Sequence, residues 1–363
     1  MSAFVVAGRR TAVVPRGGAF AGLVLGDLGV PVVRACLADA GIGVGEVDEV
    51  IVSNALGGGG NVARLVALAA GLPERVAGLT IDRQCAGGLD AVLLARAMVE
   101  SGAAEVVVAG GIESFSRRPL RLRTDPAGGP AVAYDRPAFT PWPDRDPEMN
   151  AAAAALAARM GITRAEQDDW AINSHFKALQ ADFAREIVML EGCSADAFAR
   201  RLTQAVAARA KVLVGSVTQA NAAVAADGAA FVVVTSAARA KGLERVCRLA
   251  GGATRGGQPQ EPGLAPVVAM VEVLQRAGLT ATDLRLAEVM EAYAVQVMAC
   301  VRVVGLDPDV VNVGGGALAR GHPIGASGAV LAVRLFHALR GGFGMAAIAA
   351  AGGIGTALLL EAE

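Results

Sequence analysis

An α/β protein made of two related halves is the fold this sequence predicts, and three observations carry the prediction. Strand-like runs alternate with helical patterns along most of the chain, the signature of a mostly parallel sheet covered by helices on both faces. Hydrophobic residues make up 54% of the 363 residues, against 18% charged and 4% aromatic, so small side chains must fill the core. Two short sequences also recur in the same order. Ala91-Val-Leu-Leu-Ala-Arg96 returns as Ala329-Val-Leu-Ala-Val-Arg334, and Val108-Ala-Gly-Gly-Ile112 as Ala350-Ala-Gly-Gly-Ile354. Their common order indicates an ancient duplication, and the length fits two or three domains or one duplicated unit.

The elements follow from local pattern. Phe4 to Ala7 reads as a strand, and the helical pattern from Asp27 to Ala40 has Asp27 as a cap and Gly41 as its stop. Glu49 to Ser53 is a strand, Gly57 to Gly60 a glycine run, Asn61 to Ala70 a helix, and Val76 to Ile81 an extended run into Cys85. A helix then continues to Glu100, and Glu105 to Ala109 forms an apolar strand. From about Arg117 to Ala226 the alternation stops. Four arginines and a Pro/Gly-rich stretch lead into alanine-rich helices, Glu148 to Met160 and Arg164 to Ala184, which reads as an inserted subdomain. The alternation resumes with strand Ala229 to Val234, strand Val246 to Ala250, helix Ala265 to Ala277, strand Leu284 to Val289, helix Ala292 to Val304, strand Val310 to Val313 and helix Gly325 to Leu339. The uncharged run from Gly341 to Leu360 is long enough to span a bilayer, but six glycines make it read as two buried strands joined at Ala350 to Gly353.

Charge and cysteines narrow the function. With 33 basic and 34 acidic residues, nothing points to nucleic acid or an anionic membrane as partner. Cys36, Cys85, Cys193, Cys247 and Cys300 are odd in number, widely spaced and without a Cys-x-x-Cys pair. No disulfide framework and no metal site are expected, and a reducing cytoplasm is. The start of the chain runs into a strand pattern with no basic segment ahead of an apolar one, so no signal peptide is expected.

The chemistry concentrates on Gln84-Cys85-Ala86-Gly87-Gly88-Leu89-Asp90-Ala91, where a cysteine precedes a small-residue helix start. Free N–H groups and the positive end of a helix dipole lower a thiol pKa there, and the glycines let a substrate approach the sulfur. The matching place in the second half is Gly321-His322-Pro323-Ile324-Gly325. Pseudosymmetric halves bring the two helix ends together, where His322 can activate the Cys85 thiol or hydrogen-bond a developing oxyanion. His175 and His337 fall in helical patterns and read as structural residues.

These stretches, together with Gly-Gly-Ile-Glu-Ser-Phe-Ser (Gly110 to Ser116), Met-Glu-Ala-Tyr (Met290 to Tyr293) and Val-Asn-Val-Gly-Gly-Gly-Ala (Val311 to Ala317), resemble the thiolase family over nearly the whole chain and in the family's order. The resemblance implies two similar five-stranded, mixed-sheet α/β halves stacked as α-β-α-β-α layers. It divides the chain into an N-terminal half (1–116), an inserted loop domain that covers coenzyme A (117–226) and a C-terminal half (227–363), assembled as a homodimer or homotetramer. It implies a coenzyme A thioester as substrate, with no permanently bound cofactor. Cys85 takes the position of the acyl-accepting nucleophile, His322 that of the family histidine, and the Cys85 and Ala351 backbone N–H groups that of an oxyanion hole. Asn221 and Ala223 match the loop near the pantetheine arm, with Ala223 in place of a serine.

Two further positions depart from the family in chemical kind. Ala349 stands where the family carries a second cysteine that acts as acid/base in carbon–carbon bond making and breaking. Met290 stands where an asparagine holds a water of a second oxyanion hole, and a thioether cannot donate a hydrogen bond. The expectation is an acyltransferase that loads Cys85 from acyl-CoA while its carbon–carbon step is compromised, unless Glu291 or Tyr293 supplies a base. The alternatives are a catalytically silent thiolase-like partner subunit, or transfer of the acyl group to a non-carbon acceptor or water.

Overall fold

The computed structural model describes residues 2–363, with Met1 outside them. Nine strands form one sheet path: β1 (Ala3–Thr11), β2 (Glu49–Ser53), β3 (Leu79–Ile81), β4 (Val106–Glu113), β5 (Ala226–Ser236), β6 (Cys247–Gly256), β7 (Leu284–Val289), β8 (Gly342–Ala350) and β9 (Ile354–Ala362). Their spatial order is β7-β8-β9-β6-β1-β5-β4-β2-β3. Two-residue strands at Val14–Pro15 and Ile187–Val188 add to β5 and β1. The halves meet at a short pairing of β1 with β6, through Phe4 and Val5.

The sheet is mixed rather than mostly parallel. Among the nine strands only β2 with β3, β2 with β4, and β7 with β8 are parallel pairs, joined by the short parallel pairing of Ile187–Val188 with β1, and the pairs from β4 through β1 and β6 to β8 are antiparallel. Strand–helix alternation predicts crossovers, and crossovers make parallel pairs. The alternation lapses where strand follows strand. The turn at 351–353 folds β9 back on β8, and β4 returns as β5 only after residues 114–225, so the strands in the middle of each half reverse direction.

The duplication is visible in the pairing. In the first half, β4 is parallel to β2 and antiparallel to β5, which is antiparallel to β1. In the second, β8 is parallel to β7 and antiparallel to β9, which is antiparallel to β6. The strand expected at Val310–Val313 shrinks to one parallel bridge between Ala287 and Val311, in the place β3 holds in the first half. Asn312 turns the chain there with φ 48°. Of the two sequence echoes, the first is structural and the second is not. Gly110 and Gly111 pair within β4, whereas Gly352 and Gly353 form the β8–β9 turn with φ of 80° and 76°.

Helices fill three layers. Helices α1 (Leu25–Ala40) and α2 (Val62–Ala69) pack with strands of the first half in one apolar cluster. In the first of them Val24 is the cap and Asp27 accepts its N–H from the third position, while Gly41 ends the helix with φ 64° as expected. Helices α3 (Gly87–Ser101) and α8 (Ile324–Ala338) share a second cluster with strands of both halves. Helices α6 (Ala265–Ala277) and α7 (Ala294–Val304) make a third with the second half. Between β4 and β5 lie α4 (Met149–Met160) and α5 (Arg164–Gln180), with a small hairpin at Leu122–Arg123 and Val132–Ala133. Among the described residues no helix is long and apolar enough to cross a membrane.

The tightest packing is in the middle layer. A Cβ on Gly88 would lie 2.4 Å from the Ala329 nitrogen, and one on Gly328 would lie 2.4 Å from the Leu89 nitrogen. Only glycines let α3 and α8 cross so closely. Gly88→Ala is therefore expected to destabilise the protein by roughly 1–3 kcal/mol, as overpacked cores do. Gly26→Ala, with open space around it inside a helix, is expected to be neutral or stabilising. Urea unfolding of the two variants checks the contrast, and equal midpoints would contradict it.

Candidate functional site

The site lies where the starts of α3 and α8 face each other. Cys85 follows Gln84, a non-glycine residue held at φ 49° with its N–H on the Asp82 carboxylate at 2.8 Å. A left-handed residue just before a helix is a strained step that aims the next side chain. On the other side Gly321, at φ 109°, ends a short helix (Ala317–Arg320) and turns the chain into His322, whose N–H donates to the Val224 carbonyl at 2.8 Å. The result is a Cys85 Sγ to His322 Nε2 separation of 3.2 Å. On the far side of the ring, Nδ1 lies 2.7 Å from the Ser327 hydroxyl, which also reaches the Pro323 carbonyl at 3.0 Å. With the hydroxyl proton on that carbonyl, Ser327 accepts from Nδ1–H and leaves Nε2 free to accept the thiol proton.

The electrostatics differ from the expected low-pKa thiol. Burial pushes the Cys85 thiol up to about 12, and the Glu113 and Asp82 carboxylates act in the same direction. Burial alone pulls His322 down to about 4. Desolvation outweighs the helix end, so the resting pair at neutral pH is a thiol beside an uncharged imidazole.

Cys85 and His322 open into one cavity of about 880 Å³, part of it open to solvent, with Ala223, Ala292, Ala349 and Ala351 on its walls. Phe139 and the α4 residues Met149 and Leu156 close it from the segment between β4 and β5, with Gly263 packed against Leu156 and Pro262 beside it in the lining. The remaining sequence candidates lie elsewhere. Met290 is 1% exposed and sits in the apolar cluster behind Cys85 rather than on the cavity wall. Asn221, expected beside the substrate arm, is fully buried. Its side chain caps the turn that follows the short strand Val217–Thr218 by accepting the Thr218 N–H at 2.7 Å and donates to Asp168 of α5 at 2.9 Å.

The two suggested replacement bases are engaged. Glu291 accepts from Trp170 Nε1, Ser174 Oγ, Asn312 Nδ2 and the Leu318 N–H at 2.7–3.2 Å, and does not line the cavity. Tyr293 does line it, but its hydroxyl donates to Asn150 Oδ1 at 2.9 Å, and burial raises its pKa further above the ordinary phenol value. His175 accepts the Arg200 N–H at 3.3 Å and His337 lies 2.7 Å from the Gly8 carbonyl, both structural contacts. Among the described residues no three His, Cys, Asp or Glu side chains are grouped to hold a metal ion. Phe139, Met149 and Leu156 carry no motif in the sequence that marks them as lining residues. Only the helical spacing of the last two gave a sign that they share a face.

Comparison with known proteins finds relatives along the whole chain. Residues 3–238 match the family model described as thiolase, N-terminal domain, and residues 243–362 that of the thiolase C-terminal domain. The chain is 39% identical to an acetyl-CoA acetyltransferase of Pseudomonas aeruginosa, covering 99% of each. It is 38% identical to one of Cupriavidus necator, covering 98% of each. A thiolase from Ascaris suum, solved in complex with coenzyme A, superposes over 100% of both chains with a TM-score of 0.93 at 29% identity.

A thiol raised by burial has a definite pH signature. Alkylation of Cys85 by iodoacetamide, followed by peptide mass spectrometry, is expected to keep accelerating from pH 7 to pH 10. A plateau below pH 7 would instead mean a preformed thiolate–imidazolium pair.

Proposed function

The chain belongs to the thiolase family and is an acyltransferase of it, and from that premise we propose that Cys85 takes the acyl group of a coenzyme A thioester. The observation that carries this reading is the 3.2 Å Cys85–His322 contact at the wall of an apolar cavity. His322 Nε2 accepts the thiol proton as Sγ attacks the thioester carbonyl. The oxyanion falls to the backbone N–H groups of Cys85 and of Ala351, which opens the β8–β9 turn on the same cavity. As the tetrahedral intermediate collapses, the carbon–sulfur bond to coenzyme A breaks and His322 returns the proton to the leaving sulfur. The loop-domain reading of 117–226 is supported by α4, which supplies one wall of the cavity. Assembly as a homodimer or homotetramer belongs to the same proposal.

The carbon–carbon step is the weak one. Ala349 reaches the cavity with a methyl group, and Met290, sealed behind Cys85, offers no hydrogen bond to a water. A positioned acid/base is worth roughly 10²–10⁴ in rate and an oxyanion donor roughly 10²–10³. Loading Cys85 needs neither group.

Two measurements check the reading. Intact-protein mass spectrometry after mixing with acetyl-CoA, then longer acyl-CoAs, is expected to show one acyl adduct that Cys85→Ala abolishes; no adduct with any donor would refute it. Ala349→Cys is expected to raise acetoacetyl-CoA thiolysis by about 10²-fold by restoring an acid/base at the cavity wall. An unchanged rate would contradict the part assigned to Ala349.

A further inference from the structure

Resting on the part proposed for His322 as the base in acylation, we propose that Arg320 is a positioning residue for His322, held in place by a buried network of six charges. Arg320 ends the short helix Ala317–Arg320, two residues before His322, and its side chain turns inward, 2% exposed. Nη1 donates to the Gly315 carbonyl at 2.6 Å, across a turn in which Gly315 holds φ 74° and donates its N–H to the Asn312 carbonyl. The guanidinium thus closes the one-turn helix on itself. Gly321 follows at φ 109°, with no side chain to restrain it. The direction of the imidazole is therefore set by the helix before it and by the Val224 carbonyl that accepts the His322 N–H.

What holds Arg320 is charge. Its Nη2 lies 3.9 Å from one oxygen of Glu288 on β7, and Nη2 of Arg334 on α8 lies 3.8 Å from the other. Arg334 also pairs with Glu186, which accepts from Arg10 Nε at 3.0 Å, and Arg10 forks onto Asp196 at 2.7 and 3.1 Å. Arg10, Arg320 and Arg334 are thus enclosed with Glu186, Asp196 and Glu288, each at most 7% exposed. They come from β1, β7, α8, the helix before His322 and the stretch between β4 and β5. Buried ion pairs stabilise little more than apolar packing would, but a charge left without its partner is costly. Such a network admits one arrangement of its members, and its yield is geometry. Among the described residues neither Glu288 oxygen has a hydrogen-bond partner, so that carboxylate holds Arg320 by charge alone. The duplication supports a dedicated role. Arg96, the first-half match of Arg334, pairs with Glu100 at the partly exposed surface of α3 at 2.8 Å, and only the second-half copy is turned inward.

The test follows acylation of Cys85 by acetyl-CoA at pH 7 with intact-protein mass spectrometry. It compares the full-length protein with Arg320→Met, Arg320→Lys and Glu288→Gln, each with and without His322→Ala. Arg320→Met is expected to slow acylation by about 100-fold and Glu288→Gln by about tenfold, as a displaced catalytic group does. Arg320→Lys keeps the charge and a donor, and should recover part of the loss. In the His322→Ala background Arg320→Met should cost less than about threefold more, because nothing is left to position. Alkylation by iodoacetamide at pH 10, where hydroxide takes the thiol proton, should stay within about threefold of the unsubstituted protein. Folded variants that acylate at the unsubstituted rate would overturn the proposal, as would a loss of equal size with and without His322. Failure of all three variants to fold would overturn it too, since the network would then serve the fold rather than His322. Acylation that is absent from the unsubstituted protein, or unchanged by His322→Ala alone, would overturn the reading on which the proposal rests.

Discussion

The close crossing of α3 and α8 is the constraint on which the site depends. Each helix begins at the reactive end of its half, and each carries a glycine where its backbone meets the other's, Gly88 against Ala329 and Gly328 against Leu89. A Cβ on either would drive the helices apart, and the 3.2 Å between Cys85 and His322 would open with them. Neither residue is held by a partner of opposite charge. They meet because the two helix starts are fixed in the layer between two copies of the same α/β unit.

Two buried carboxylates hold the loops around that crossing. Glu113, at the end of β4, accepts from Asn54 Nδ2, from the Ala55 and Leu56 N–H groups and from the Gly325 N–H, joining the loop after β2 to the start of α8. Burial pushes it up to about 7 against the pull of those donors. Glu291 does the same for α5, the Asn312 turn and the short helix before His322. An acceptor with several donors on separate segments fixes loop geometry without offering a proton to the cavity. Glu291 is thus a support for the site rather than its missing base.

Much of this was legible in the sequence, for identifiable reasons. Cys85 and His322 stood out because each precedes a glycine-bearing helix start, a local pattern that survives folding unchanged. The repeated segments Ala91–Arg96 and Ala329–Arg334 were legible, and they fall in α3 and α8, which pack against each other. Sheet direction was not, since it depends on which strands return by a hairpin or by a long insertion rather than by a helix. The second Gly-Gly echo misled because the same dipeptide serves one half as strand and the other as turn. The surroundings of Asn221 were not legible, because an asparagine beside a loop looks alike in sequence whether it faces a ligand or caps a turn. The thiol's pKa direction was missed because burial is a property of the assembled cavity, and in this site it outweighs the helix end.

The central claim is that the site transfers acyl groups but cannot take a proton from carbon. The most direct measurement is deuterium uptake into the methyl group of acetyl-CoA in deuterated water, followed by mass spectrometry while acylation of Cys85 is monitored in the same mixture. The account predicts acylation with no methyl deuterium above the protein-free blank. Deuterium entering the methyl group at a rate comparable to acylation would reveal a working carbon base and contradict it.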